Sequence, residues 1–311
     1  MIKIKVLGIG GGGNNAVIRM IKDKVQNIDT YLFNTEIKIL QRANSITKNT
    51  IQIGKETTKG LGAGADENVG EKSAEENRKE IQEILKDTDM LFLTAGMGGG
   101  TGTGAIPVVA EIAKEMDIMT VAIVTKPFTF EGRKRDIRAN KGIEKLKQYV
   151  NALIVVSNDK LLKVVSDKTS INDAFSLADD ILKQGIKSIT DLLTTVGEIN
   201  VDFADVKTIF NYVGNAYMGM GKAEGENSIV QATYKAIDNP LTETQIDGAK
   251  GVIFNIMGSE ELSLNEINNA IQIISERVDS EANIIFGTVI DKSLEDEVKV
   301  TVIATGVDTN K

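Results

Sequence analysis

The sequence predicts an α/β protein, with a parallel-sheet domain joined by a long central helix to a smaller α+β domain. Three observations carry that prediction. Twice in the first half, at residues 2–21 and 90–116, a short apolar run passes straight into a glycine-rich turn and then into a helical apolar pattern. That is the strand–turn–helix unit of parallel sheets. Residues 171–196 keep an apolar helical stripe over roughly 35 Å. The last third alternates strand and helix patterns without a glycine-rich turn of its own. At 311 residues the chain is long for one core, and the expected divisions are 1–170, 171–196 and 197–311.

Composition removes whole classes of chemistry. The chain has no cysteine and no histidine, so disulfides, thiol catalysis, histidine general bases and histidine-ligated zinc are all excluded. A net charge of −8 argues against a nucleic-acid partner held by phosphate neutralisation. No apolar stretch has the length of a membrane span, and the N-terminus lacks the layout of a secretory signal. The expectation is a cytoplasmic protein with no direct membrane insertion.

The richest stretch is residues 94–104, TAGMGGGTGTG, with six glycines within nine residues. Set between an apolar strand and an amphipathic helix, it reads as an anion cradle, its backbone N–H groups and the helix dipole favouring phosphate. A second glycine turn, residues 8–15, follows the first strand. Gly8, Gly10 and Gly13 satisfy GxGxxG, and Glu36 follows at the distance of a ribose-binding acid, so a dinucleotide-binding oxidoreductase is an alternative. Against it stand the second, richer cradle and the paired amides of Asn14 and Asn15. No GxxxxGK[ST] occurs, which excludes a P-loop.

Further along, GLGAGA at 60–65 reads equally as a loop closing over a terminal phosphate or as a plain surface loop. It precedes a charged helix expected over 70–87, whose charges read as a solvated face. After the strand at 119–125 comes PFTFEGRKR, where Glu131 and Arg135 are one helical turn apart. They are either a surface ion pair or a grip on ribose and the sugar-phosphate edge. The strand at 153–156 ends at Ser157-Asn158-Asp159. Early in the long helix, Phe175 and Asp179 share a face. They could stack on a purine and accept from N1–H and N2–H, donors that guanine has and adenine lacks. Without context, Phe175 as core and Asp179 as a solvent-facing acid is the plainer alternative. Beyond the helix, Asp202 and Asp205 are spaced to orient a water and hold a cation, or merely to complement a helix dipole.

GIGGGGNNAV, GLGAGA, TAGMGGGTGTGA, PFTFEGRKR, SNDKL, the Ala174-Phe175…Asp179 helix and NVDFADVKTI occur in one order along the chain. In that order they resemble the tubulin/FtsZ family, and within it the bacterial cell-division GTPases. The resemblance implies GTP/GDP as substrate and product, with Mg²⁺ as cofactor. It implies a nucleotide contact set of Gly11, Gly12, Gly13, Asn14 and Asn15; Gly98, Gly99, Gly100, Thr101, Gly102 and Thr103; and Glu131, Arg135, Asn158, Phe175 and Asp179. It makes NVDFADV, at the start of the second domain, a loop that reaches the nucleotide of the next subunit in a head-to-tail homopolymer. There Asn200, Asp202 and Asp205 would complete the catalytic site. No protein cluster for a resident metal is expected. Other division proteins would bind through surfaces the sequence does not mark, at the division site. Glu36, Lys126 and Ser157 depart from the residues usual in the family, by small or same-charge changes.

Overall fold

Strand β1 (Ile4–Ile9) is buried at every position, as a strand at the centre of a two-faced sheet must be, and its one charged residue, Lys5, donates to the carbonyls of Ile84 and Lys86. It pairs in parallel with β2 (Asp29–Asn34) on one side and β4 (Met90–Gly96) on the other. β3 (Thr50–Gln52) extends the sheet beyond β2, and β5 (Met119–Lys126) and β6 (Ala152–Ser157) extend it beyond β4, all parallel. The computed structural model describes residues 2–162, 169–195, 199, 201–212, 215–239, 241–259 and 262–307. It divides into two compact units, Met1–Lys187 and Ser188–Lys311.

In the first unit the strand order is β3-β2-β1-β4-β5-β6. Chain direction across the sheet therefore reverses between β1 and β4. In doubly wound sheets that switch point opens a crevice outside the carboxyl ends of the strands, where ligands bind. Both glycine turns sit there. The first leads into α1 (Gly10–Lys22), the second into α6 (Thr101–Glu115). Shorter helices α2 (Ile37–Ala43), α3 (Lys55–Thr58), α4 (Glu67–Glu76) and α5 (Arg78–Leu85) lie between β2 and β4 in the chain. They are followed, after β5, by α7 (Arg133–Lys147), and after β6 by α8 (Asn158–Leu161). The core joins one face of β1, β4 and β5 to the apolar sides of α5, α6 and α7.

The charged helix expected over 70–87 is two helices, broken at Asn77. The Asn77 side-chain oxygen accepts from the Gly54 amide at 2.8 Å while its nitrogen donates to Glu80 at 2.7 Å. Its charges also do more than face water. Glu76 accepts from the amides of Glu56 and Thr57 at the start of α3, and Arg78 pairs with Glu75, Glu111 and Glu115.

The long helix α9 runs Ile171–Thr194, with Ala174, Ala178, Ile181, Leu182, Ile186, Ile189 and Leu192 buried at helical spacing. The division between the units falls within it. After it come α10 (Phe203–Phe210), β7 (Asn215–Glu224), α11 (Ser228–Ile237), β8 (Gly251–Gly258), α12 (Leu264–Ser275), β9 (Asn283–Ile290) and β10 (Glu297–Val307). The sheet of this unit runs β7-β10-β8-β9, with β10 antiparallel to both neighbours and β8 parallel to β9. α11 and α12 cover one face. Among the described residues no helix is long and apolar enough to cross a membrane.

Strand β7, NAYMGMGKAE, lacks the apolar alternation that marks its neighbours. Its glycines explain why. A Cβ on Gly219 would run into the carbonyl of Ala236, and one on Gly221 into that of Ala232, so α11 rests directly on the strand backbone. Tyr217 fixes the same contact by donating its hydroxyl to the Ala236 carbonyl. Gly221→Ala is expected to cost about 1–3 kcal/mol by forcing helix and strand apart. The measurement is the urea midpoint at constant slope, and an unchanged midpoint would show that α11 yields freely.

Candidate nucleotide site

The crevice at the β1/β4 switch point is a cavity of about 600 Å³, the size of a small-ligand site. Every residue lining it belongs to the first unit. Gly11, Gly12 and Asn15 border it from α1, and Gly99, Gly100, Thr101 and Gly102 from the central turn. Glu131, Arg135, Asn158, Phe175 and Asp179 close the remaining side. The structure thus brings most of the expected contact set to one place.

Four expected residues do not line it: Gly13, Asn14, Gly98 and Thr103. Asn14 is fully buried. Its nitrogen donates to the carbonyls of Gly8 and Phe33 at 2.7 and 3.2 Å, and its oxygen accepts from Asn34 at 2.7 Å. That amide ties α1 to the ends of β1 and β2 and has nothing left for a ligand. Gly13 is a packing glycine, since a Cβ there would meet the Thr94 carbonyl. Gly98 and Thr103 satisfy each other, the amide donating to the hydroxyl at 2.8 Å, which folds the turn back onto the start of α6.

Among the cavity glycines, Cβ direction separates two roles. A Cβ on Gly102 would stand 2.9 Å from the Gly96 carbonyl and 3.3 Å from that of Ile9, and one on Gly100 would meet Ala63 and Asp66. These two face protein. Gly11 and Gly99 face open space, with nothing within 4 Å. They are the positions where a side chain would compete with a ligand. The N–H groups of the first turn of α6 have no helical carbonyl to bond, and the positive end of its dipole lies there.

Asp179 is the least expected group chemically. It is 9% exposed, and burial is the main reason its carboxyl is pushed up to about 7, with Asp180 adding to the rise. Arg19, one helix away on α1, pulls the other way. Its Nε lies 3.6 Å from Asp179 and its Nη1 3.8 Å from Asp180, while Nη2 donates to Ser176 at 2.8 Å. Lys183 holds Asp180 from the same helix at 3.1 Å. Sequence reasoning missed Arg19, because its partners lie more than 150 positions away and α1 already had a reading of its own.

Phe128, Phe130 and Phe175 form an aromatic cluster. Phe128 stacks on Phe130 at 4.9 Å and meets Phe175 edge-on at 5.3 Å. Phe175 is 38% exposed rather than core. Glu131 pairs with Arg135 at 3.0 Å, so the i,i+4 ion pair does form, yet both residues line the cavity. Asn158 is buried with its side-chain oxygen unpartnered, an acceptor waiting for a donor. Also missed were Thr35, whose hydroxyl bonds that of Thr101 at 2.6 Å, and Thr125. Glu36 and the strip 61–64 border the cavity as well.

In the second unit Asp202 is the N-cap of α10, accepting from the Asp205 amide at 2.8 Å. Asp205 is exposed in the first turn. Asn200 lies outside the described residues. No group of three or more His, Cys, Asp or Glu able to hold a metal occurs among the described residues.

Residues 3–166 match the Tubulin/FtsZ family, GTPase domain, and residues 214–308 match the FtsZ family, C-terminal domain. The chain belongs to the tubulin/FtsZ family. Membership of a GTPase family sets aside the dinucleotide alternative. An FtsZ dimer from M. jannaschii superposes with a TM-score of 0.93 at 42% identity, covering 99% of this chain and 89% of that one. A point mutant of M. jannaschii FtsZ gives 0.91, also at 42%, covering 98% and 91%. The GTPγS-bound protofilament of CetZ2 from Haloferax volcanii shares the fold at 0.84 and 20% identity, covering 99% and 94%.

Two measurements follow. Gly99→Ala should weaken GTP binding by roughly tenfold or more through lost backbone approach, with an unchanged melting curve, whereas Gly102→Ala should lower the melting temperature. The reverse pattern would misplace the cradle. The second is pH. If Asp179 accepts from donors on the base, they favour its ionised form, binding releases its proton, and GTP affinity should fall as pH drops below about 7. The slope approaches about tenfold per unit. Asp179→Asn should flatten that slope, and a steep slope in that variant would assign it to another group.

Proposed function

We propose that this GTPase binds GTP in the cavity at the β1/β4 switch point and hydrolyses it only once a second copy completes the site, so that subunits join head to tail into cytoskeletal filaments for cell division. The carrying observation is the composition of the cavity wall. It offers phosphate-facing backbone, a buried purine-side carboxylate in Asp179 and a ribose-side pair in Glu131 and Arg135. Its carboxylates are Glu36, Glu131 and Asp179. The last two belong to the ribose and base sides, so activation of an attacking water calls on acids from elsewhere.

Asp202 and Asp205 fit that need as the neighbour's contribution, with Asn200 a further expected member of that set. Asp205 is the freer acid, because one oxygen of Asp202 is engaged in capping α10. The M. jannaschii relative was solved as a dimer and the H. volcanii one as a protofilament, which supports self-association here. On this reading the nucleotide domain spans 1–170, the connecting helix 171–196 and the contributing domain 197–311. The chain works in the cytoplasm at the division site, with other division proteins as further partners.

Mg²⁺ keeps most of its waters and needs one or two carboxylates besides phosphate. The cavity fits it, since Glu36, a carboxylate in an anion cradle, is compatible with phosphate when a cation stands between them, and the hydroxyls of Thr35 and Thr101 lie alongside. The ion would neutralise charge on the β- and γ-phosphates. The glycine-turn amides and the α6 dipole stabilise the same charge as it shifts toward the leaving group.

GTPase activity per molecule should rise steeply with protein concentration. Asp205→Ala should bind GTP and hydrolyse little. Mixed with Gly99→Val, which is expected to fold without binding GTP, it should regain activity above the sum of the two, since each mutant supplies what the other lacks at a shared junction. Constant activity per molecule on dilution would mean that each chain carries a full site.

A further inference from the structure

Two strand exits clamp each other beside the cavity. Strand β5 leaves the sheet through Pro127 and Phe128 into one 3-10 turn, Thr129–Glu131. Strand β6 leaves through Ser157, Asn158 and Asp159. The Asp159 carboxylate takes hold of the turn with both oxygens. Oδ1 accepts from the Thr129 amide at 2.8 Å and Oδ2 from the Thr129 hydroxyl at 2.6 Å. Two bonds to an ionised acceptor in fixed geometry are the strong kind. The turn itself is closed by Glu131 N–H to the Phe128 carbonyl and Gly132 N–H to that of Thr129.

The consequence is for Glu131. One of its oxygens accepts from the Phe128 amide at 2.9 Å, and the other meets Arg135 at 3.0 Å. Its side chain is only 7% exposed, against 45% for Arg135. Without a fixed turn, Glu131 could follow Arg135 toward solvent and keep its ion pair. Held by Asp159, the turn keeps the carboxylate on the cavity wall. The same corner carries Asn158, which also borders the cavity and whose buried side-chain oxygen is unpartnered.

We propose that Asp159 is a positioning residue for the sugar of the nucleotide, fixing through Thr129 the orientation in which Glu131 meets the ribose hydroxyls. The proposal rests on the reading of Glu131 as the ribose-side carboxylate. Asp159 itself touches neither nucleotide nor water in the reaction.

The test compares equilibrium binding of GTP with that of 2′,3′-dideoxy-GTP, which lacks both hydroxyls. The unmutated protein should favour GTP by roughly tenfold or more, the worth of hydrogen bonds to a charged acceptor. Glu131→Ala should close that gap. A gap that stays open ends the ribose reading, and the proposal with it. Asp159→Ala should bring GTP down toward the dideoxy nucleotide while the affinity for dideoxy-GTP stays within about twofold. Thr129→Val removes only the hydroxyl bond, and Asp159→Asn keeps one acceptor, so both should leave a partial gap. The assignment is overturned if Asp159→Ala weakens both nucleotides equally, as general loosening would. It is also overturned if Asp159→Ala leaves the gap whole while Glu131→Ala closes it.

Discussion

The site depends on how closely two helix starts approach the ends of two central strands. A phosphate held by backbone amides needs those amides within hydrogen-bond reach, and any side chain between helix and sheet would hold them off. The first unit removes such side chains at successive layers. A Cβ on Gly8 would collide with the backbone of Gly13 and with Val17, one on Gly13 with Thr94, and one on Gly104 with the Glu67 carbonyl. Helix α4 can therefore lie against α6, and its Gly70 meets the Gly100 carbonyl. The cradle is as much a packing solution as a ligand site.

Around that fixed floor the charged groups are arranged in pairs rather than singly. Asp179 is buried enough to resist ionisation, and Arg19 counters this from α1, the helix that also carries the first glycine turn. Glu131 is buried and answered by Arg135. Without the counter-charge of Arg19, burial would push the Asp179 carboxyl up further. On the proposed reading, the glycine floor supplies fixed dipoles for phosphate, and these two pairs supply charge for the base and sugar.

The sequence was most legible where function rests on the backbone. Strand–glycine–helix units at 2–21 and 90–116 are local patterns, and β1, β4, α1 and α6 formed where those patterns placed them. The periodic stripe of α9 was equally plain, and differs from the observed helix only at its end. Legibility failed where a long-range contact replaced a local one. The helix over 70–87 broke because Asn77 serves Gly54. β7 carries no apolar alternation to read, because its glycines are spent on α11. Asn14 looked like a ligand amide, yet its side chain is bonded to Phe33 and Asn34, far from it in the chain.

By itself the sequence determined the chemistry available: no thiol, no imidazole, two anion cradles at strand ends, and carboxylates that must do any acid–base work. It determined the order of elements too, since apolar period and glycine turns are written locally. Which glycine faces the ligand was decided only by the tertiary structure. The direction of a missing Cβ has meaning only once Ala63, Asp66 and Glu67 have come to lie against it. The same holds for the charges. Arg19 and Ser176 are 157 residues apart in the chain, and a carboxylate's proton affinity answers to burial and to neighbouring charge. Neither quantity exists until the chain has folded.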